Sequence, residues 1–524
     1  MVEQLALLPG YGTAHLQLSL AALVLGVSFS VPLGVWVSRS PRFEPAVLGL
    51  ASVLQTIPSL ALLALMVPLL AGVGVLVSGL GLELRSIGFL PAVVALTLYS
   101  VLPILRNTVA GIGGVDAALV EAARGVGMTD RQRLVRVELP LALPVIVAGV
   151  RTATVWVVGT ATLATPVGAT SLGNYIFSGL QTRNFTAVMV GSVAAAVLAI
   201  GLDSLVRLLE NGLVGRSRAK VVAALSLLGL LCVYAGGAFV ASAVGTEGRP
   251  VTIGAKTFTE QYILSEILAQ QITAETSLDT RAVQSLGSTV AFDALRTGEI
   301  DLYVDYSGTI WATIMKRTRL PDTRREVLEG VRDYLRDEHG ILLVASLGFE
   351  NTYALAMREA QARDLGVTTI TALARVSPNL EIGGDYEFFV RAEWKALEAA
   401  YSLAFRKARS MDAALMYQAV ESGEVDVISA YSTDGRIAAY SLRLVADDRG
   451  VIPPYDAIVL ARPGLATERP EVVAAVTKLG RRIDEAEMQA MNHEVDERGR
   501  PPADVARVFL EALRSGSPVR ASSR

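Results

Sequence analysis

One cysteine in 524 residues removes two kinds of chemistry at once. Cys232 has no partner within the chain, so neither an intrachain disulfide framework nor a cysteine-based metal site can form. The three histidines, His15, His339 and His493, lie far apart in sequence and read as packing or surface residues rather than as a ligand set. No Gly-x-x-x-x-Gly-Lys-Ser/Thr occurs anywhere, so the chain lacks the usual phosphate cradle of an ATP hydrolase. A net charge of only −3 excludes the basic field that nucleic-acid binding needs. No nucleophile–base pair or paired-acid motif stands out, so an enzyme is not expected, and neither is a cofactor or a metal.

What the chain has in excess is apolar length. It is 52% hydrophobic with a mean hydropathy of +0.45, and the excess is confined to residues 1–245. About 20 apolar residues span a bilayer core as helix. Six runs meet that need: His15–Val37, Ala46–Ala71, Gly88–Val109, Leu141–Thr165, Ala187–Leu205 and Val221–Ala243. The alternate connections 39–45, 106–140 and 207–220 hold eleven Lys and Arg residues, against only Arg85 and Arg183 in 1–14, 72–87 and 166–186. The positive-inside rule places the first set in the cytoplasm. The N-terminus and everything beyond about residue 246 are then expected outside. The sixth run also has the form of a signal peptide, with basic "RSRAK" before it and Ala241-Ser242-Ala243 after it. Its length favours a retained span.

Between the third and fourth runs lies a charged island, "EAARGVGMTDRQRLVRVELP", residues 121–140. Glu121 to Arg124 favour helix, and Gly125 and Gly127 break it. Thr129 or Asp130 then caps a second short helix, Arg131 to Glu138, and Pro140 and Pro144 mark the return to the membrane. The spacing Glu121-Ala122-Ala123, three residues, Gly127, nine residues, Val137, one residue, Leu139-Pro140 resembles the coupling loop of ATP-binding-cassette importer permeases. Val137 stands where isoleucine is commoner. The resemblance implies that 116–140 docks into a separate ATPase chain, with Glu121, Ala122, Ala123, Gly127, Leu139 and Pro140 as coupling residues. It also implies a paired permease, here a homodimer, in a bacterial cytoplasmic membrane.

Residues 246–524 alternate short β runs with helical stretches, the pattern of an α/β domain. Two segments share one plan: "ALRTGEIDLYVDYSGT" and "AVESGEVDVISAYSTDG" each run from a helix end through Gly-Glu-aliphatic-Asp into a strand, a tyrosine and small polar residues. The shared plan is either coincidence or an echo between two lobes, as expected of a two-lobed domain that closes on a solute. The phrases "IGAKTFTEQYIL", "LGST", "VDYSGT", "GFENTYALAM", "MDAALMYQAVESGEVDVISAYSTDGRI" and "PPYDA" resemble, in order, the substrate-binding proteins of the glycine betaine/choline/carnitine uptake family. The implied aromatic cage is Tyr306, Tyr353, Tyr431 and Tyr455, with Gln261 and Thr289 lining the same cleft. A trimethylammonium group donates no N–H bond and is held by ring faces. Asp305 departs from the glutamate often found before that tyrosine. "GGDYEFFVRAEW", residues 383–394, is richer in aromatics than simple betaine binders. Ergothioneine, a trimethylated betaine of thiohistidine, would use the same cage, and Tyr386, Glu387, Phe388 and Arg391 would meet its imidazole-thione. Asp434 is a further candidate contact, or simply the partner of Arg436.

The expected organisation is therefore an α-helical transmembrane permease domain over 1–210, a linker and sixth helix over 211–245, and a two-lobed, periplasmic-binding-protein-like α/β domain over 246–524. A membrane-anchored solute sensor is the reading from another class. The coupling loop speaks against it, because a sensor has no use for one.

Overall fold

The computed structural model describes residues 2–78, 86–182, 184–244, 250–317, 323–385 and 388–515. The chain divides into two compact units, Met1–Phe177 with Thr186–Gly248, and Ser178–Phe185 with Arg249–Arg524.

The first unit is helical. Its described helices are α1 (Val2–Val37), α2 (Glu44–Thr56), α3 (Ser59–Ser78), α4 (Phe89–Gly113), α5 (Ala117–Gly125), α6 (Asp130–Arg133), α7 (Leu139–Ala161), α8 (Gly173–Gln181), α9 (Phe185–Val214) and α10 (Arg218–Val244). Five stretches are long and apolar enough to cross a membrane: Leu7–Val37, Phe89–Gly113, Asp130–Val167, Phe185–Val214 and Arg218–Ala238. The expected second span, Ala46–Ala71, falls on a helix pair, Glu44–Thr56 and Ser59–Gly74, bent by 101°, which as one broken span brings the number to six. Pro58 causes the break. It offers no N–H, and it pushes Ile57 out of helical space to φ −68, ψ 126. Helix α4 forms the centre, packed on α1 and α7. Gly149 of α7 sits so close to α4 that a Cβ there would come within 2.7 Å of the Pro103 carbonyl. Small residues of this kind let membrane helices approach closely. Arg151 of α7 pairs across to α9, with Asp203 at 2.6 Å and Glu210 at 3.4 Å.

The charged island differs from expectation in two ways. Helix α5 runs through Gly125 and stops at Gly127, whose φ is +78. Gly127 N–H donates to Arg124 O, and Met128 N–H to Ala123 O, which satisfies the last carbonyls in a Schellman motif. Thr129 then caps α6 in a reciprocal capping box with Gln132. This second helix does not end before the membrane. It passes through a π turn, Leu134–Glu138, directly into α7. Pro140 explains the wide turn. Its ring and missing N–H disfavour regular α bonding to the preceding turn, and the π geometry, with Leu139 N–H on Leu134 O, relieves it. Glu138, buried, accepts from Arg39 at 2.8 Å and from Arg133 at 2.6 Å, tying the island to the end of α1.

The second unit holds two five-stranded sheets. Strands β1 (Val251–Lys256), β2 (Thr280–Leu286), β3 (Leu302–Tyr306), β4 (Leu342–Glu350) and β10 (Asp456–Ala461) form the first, in the order β2-β1-β3-β10-β4. Strands β5 (Tyr353–Arg358), β6 (Glu381–Gly384), β7 (Lys407–Ser410), β8 (Val427–Tyr431) and β9 (Leu442–Val445) form the second, in the order β7-β6-β8-β5-β9. The two orders follow one scheme. In each sheet the first two pairings from the left are parallel and the last two antiparallel. The echo seen in the sequence maps onto it, because β3 and β8 occupy the same central place. Buried strands such as β10, covered on both faces, read as nearly unbroken apolar runs. The chain passes between lobes twice, at Asn351–Thr352 and over 446–455. Helices α11 (Thr259–Thr276) and α12 (Ser288–Arg296) belong to the first lobe.

Candidate functional site

Strand ends deliver the four tyrosines. Tyr306 closes β3, Tyr431 closes β8, Tyr353 opens β5 and Tyr455 immediately precedes β10. Strands β5 and β8 run antiparallel with Tyr353 directly opposite Tyr431, so pairing register alone brings two rings together. Their centroids lie 4.9 Å apart, and Tyr455 stands edge-on to Tyr353 at 5.9 Å. Phe258, from the loop after β1, completes the group. It stacks on Tyr431 at 5.7 Å and on Tyr306 at 6.2 Å. These rings line a cavity of about 200 Å³ together with polar side chains that include Lys256, Ser288, Asp385 and Arg391. Burial pushes the phenols of Tyr306, Tyr431 and Tyr455 well above their ordinary range, so the rings are neutral and present electron-rich faces.

The hydroxyls are held by neighbouring side chains. Tyr306 donates to Glu260 at 2.5 Å and accepts from Gln261 at 3.1 Å. Tyr431 donates to Tyr353 at 3.2 Å and to Asp385 at 3.3 Å, and Tyr455 donates to Glu393. The cavity is not purely acceptor in character. The Arg391 guanidinium lies 5.2 Å from the Tyr353 ring centre, with Glu393 4.0 Å away. Lys256 is neutralised by Asp305 at 2.5 Å and sits 5.6 Å from the Tyr306 ring centre. The site thus carries ring faces suited to a cation and one guanidinium suited to an anion.

The remaining sequence candidates fall in different places. Gln261 stands behind Tyr306, its Oε1 accepting from the Lys256 backbone at 3.3 Å. Thr289 is exposed on the first turn of α12, while its neighbour Ser288 lines the cavity. Asp434 forms a buried pair with Arg436 at 2.6 Å, next to a separate void of about 30 Å³, and Arg436 lies 4.0 Å from the Tyr417 ring centre. Tyr386 and Glu387 lie outside the described residues. Phe388, also proposed there, packs on Tyr353 at 5.5 Å. Sequence reasoning missed Phe258, Asp385 and Glu393. Phe258 carried a usable signal: it is an aromatic at the carboxyl end of a strand, where ligands of open α/β sheets bind.

In the first unit, Glu121 and Ala122 are exposed on α5 while Ala123 is buried. Leu119, Val126 and Val135 are large exposed apolar residues beside Arg124 and Arg131. Leu139 is half-buried and Pro140 exposed.

Two family models match. Residues 26–215 fit the binding-protein-dependent transport system inner membrane component, and 249–512 fit the substrate binding domain of ABC-type glycine betaine transport system. A relative in Helicobacter pylori (strain G27), the ergothioneine transport permease/ergothioneine binding protein EgtU, is 31% identical over 497 residues, 93% of this chain and 86% of that protein. The glycine betaine/carnitine/choline transport system permease protein OpuCB of Bacillus subtilis (strain 168) is 44% identical over 197 residues, 38% of this chain and 84% of its own. The carnitine transport binding protein OpuCC of Listeria monocytogenes serotype 1/2a (strain 10403S) is 32% identical over 271 residues, 51% of this chain and 88% of its own. One relative thus runs nearly the full length, and two others each match one half. The chain belongs to the binding-protein-dependent ABC importers, as a permease fused to its own substrate-binding domain of the glycine betaine transport type.

Proposed function

We propose that the importer takes up a betaine, a small solute bearing both a quaternary ammonium and a carboxylate. The observation that carries this is the cavity itself. Ring faces of Tyr306, Tyr353, Tyr431, Tyr455 and Phe258 surround it, and Arg391 stands beside Tyr353. A trimethylammonium cannot donate a strong hydrogen bond, so ring faces are its natural partners, at about 0.5–2 kcal/mol each. A guanidinium matches a carboxylate bidentately. Glycine betaine and carnitine both have this pair of groups. Ergothioneine has it too, and the nearly full-length relative named for ergothioneine favours that solute as the second reading. In that case Phe388, packed on Tyr353, is the described side chain at hand for the imidazole-thione.

The sidedness and partners follow. The Lys and Arg bias puts 116–140 in the cytoplasm and residues 246–524 outside. The exposed mixture of Glu121, Arg124, Val126 and Val135 suits a docking face for a separate ATPase chain, because charges fix register while apolar residues bury. A second permease copy completes the transporter, and the chain itself hydrolyses nothing. The test is calorimetry on the full chain in nanodiscs with glycine betaine, carnitine, ergothioneine and choline. At least one betaine should bind, and choline, lacking the carboxylate, should bind more weakly. Choline binding best would overturn the role of Arg391, and no binding by any of the four would overturn the solute class.

A further inference from the structure

Glu260 is almost fully buried, near the start of α11, and has no cation against it among the described contacts. Its carboxylate instead collects four neutral donors. Tyr306 reaches Oε1 at 2.5 Å and Asn351 reaches it at 2.9 Å. Thr433 reaches Oε2 at 2.5 Å and Asn492 reaches it at 3.2 Å. Burial raises the carboxyl pKa, and these four bonds pull it back.

The origin of the donors is what matters. Tyr306 ends β3, in the first lobe. Asn351 lies on the first crossing between lobes. Thr433 lies in the turn after β8, in the second lobe. Asn492 is on the helix Glu485–Asp496, which packs with the first lobe. That helix grips the same turn through Asn492 Nδ2 on Thr433 O at 2.9 Å and Gln489 Nε2 on Ser432 O at 3.0 Å. The turn in turn bonds the crossing, with Thr352 N–H on Ser432 Oγ at 3.0 Å. One carboxylate therefore touches a cage tyrosine, the crossing and the opposite lobe.

We propose that Glu260 is a positioning residue that pins the hinge, coupling the Tyr306 wall of the cavity to the 432–433 turn of the other lobe. The coupling rests on lobe geometry. Only its readout through solute affinity rests on the betaine reading. The Oδ1 of Asn351 carries no hydrogen bond, so that amide can turn to accept from an introduced glutamine while Asn492 keeps its bond to Thr433 O. Glu260→Gln should then keep the pin, whereas Glu260→Ala should release it.

The test uses the full chain in nanodiscs with Cys232 changed to serine. Spin labels at Ala274→Cys and Glu421→Cys, both exposed and one on each lobe, report the distance between lobes. Glu260→Ala should broaden that distribution without solute, and Thr433→Val, which leaves Tyr306 on Glu260, should do the same more weakly. With glycine betaine, carnitine or ergothioneine, whichever binds the wild type, Glu260→Ala should raise the off-rate about tenfold, more than it lowers the on-rate. Glu260→Gln should restore most of the loss. The double variant Glu260→Ala/Thr433→Val should be no worse than Glu260→Ala alone. Unchanged distance distributions in both single variants, or effects that simply add, would overturn the pin. If none of glycine betaine, carnitine and ergothioneine binds the wild type, the betaine reading falls while the label distances still decide the pin. Should Glu260→Ala not fold, Thr433→Val carries the same test.

Discussion

Tyr353 offers the sharpest test of the cage. Its ring lies 4.9 Å from Tyr431, 5.9 Å from Tyr455 and 5.5 Å from Phe388, with the Arg391 guanidinium at 5.2 Å. Its hydroxyl accepts from Tyr431 at 3.2 Å, and Tyr431 also has Asp385 as an acceptor at 3.3 Å. Tyr353→Phe therefore keeps the ring face and removes a bond for which Tyr431 has an alternative. A loss of about 0.5 kcal/mol, or about twofold in Kd, is expected. Tyr353→Ala removes the face. At about 0.5–2 kcal/mol per face the affinity should fall about two- to thirtyfold. Truncating a buried ring also costs about 3–5 kcal/mol of stability, so folding must be checked independently. Calorimetry on the full chain, with circular dichroism for each variant, measures both. A folded Tyr353→Ala that binds like wild type would refute the cage. A Tyr353→Phe as weak as Tyr353→Ala would show that the hydroxyl, not the ring face, does the binding.

Three further outcomes are expected. Gly308→Ala places a Cβ within 2.5–2.8 Å of the Tyr455 ring, so overpacking should displace that wall and weaken solute binding about tenfold without touching the solute; unchanged calorimetry would separate Tyr455 from the site. Burial, with Asp434 adding to it and Arg436 and Thr259 opposing, raises the Asp496 carboxyl from 3.8 to about 7. A raised folded pKa gives stability that is complete below the unfolded value and lost as pH rises through the folded one, so the wild-type melting temperature should fall relative to Asp496→Asn between about pH 4 and 7; parallel melting curves across that window would refute the shift. Gly127→Asp meets no neighbour within 4 Å at its Cβ, but it adds a side chain at φ +78 and a negative charge at the carboxyl end of α5. Uptake should be lost in Gly127→Asp and better kept in Gly127→Asn, which also tolerates left-handed geometry but carries no charge, with solute binding unchanged in both. Wild-type uptake by Gly127→Asp would remove the coupling role.

The helical unit and the two-lobed α/β unit were legible because each leaves a simple signature: apolar length in one, alternation of strand and helix in the other. Finer geometry was legible only where one residue dictates it. Gly127 has the left-handed φ its place suggests, and strand ends lead to all four tyrosines. The 101° bend between α2 and α3 was missed although Pro58 announces it, because counting apolar residues ignores backbone donors. Thr289 shows the opposite limit. At a helix start, one position turns a side chain by about 100°, and the cavity takes Ser288 instead. The π turn over Leu134–Glu138 follows from fitting Pro140 into a continuous helix, which no local pattern reveals. Glu260 and Glu393 acquire their partners only through tertiary packing.

That continuous helix has a mechanical consequence. Asp130–Val167 counts 38 residues, about 55 Å at about 1.5 Å per residue. The contact of Arg39 with Glu138 divides this helix into a short arm of about two helical turns, Asp130 to Glu138, and a long arm of about 45 Å, so a tilt of about 5° about that contact moves the far end by about 4 Å.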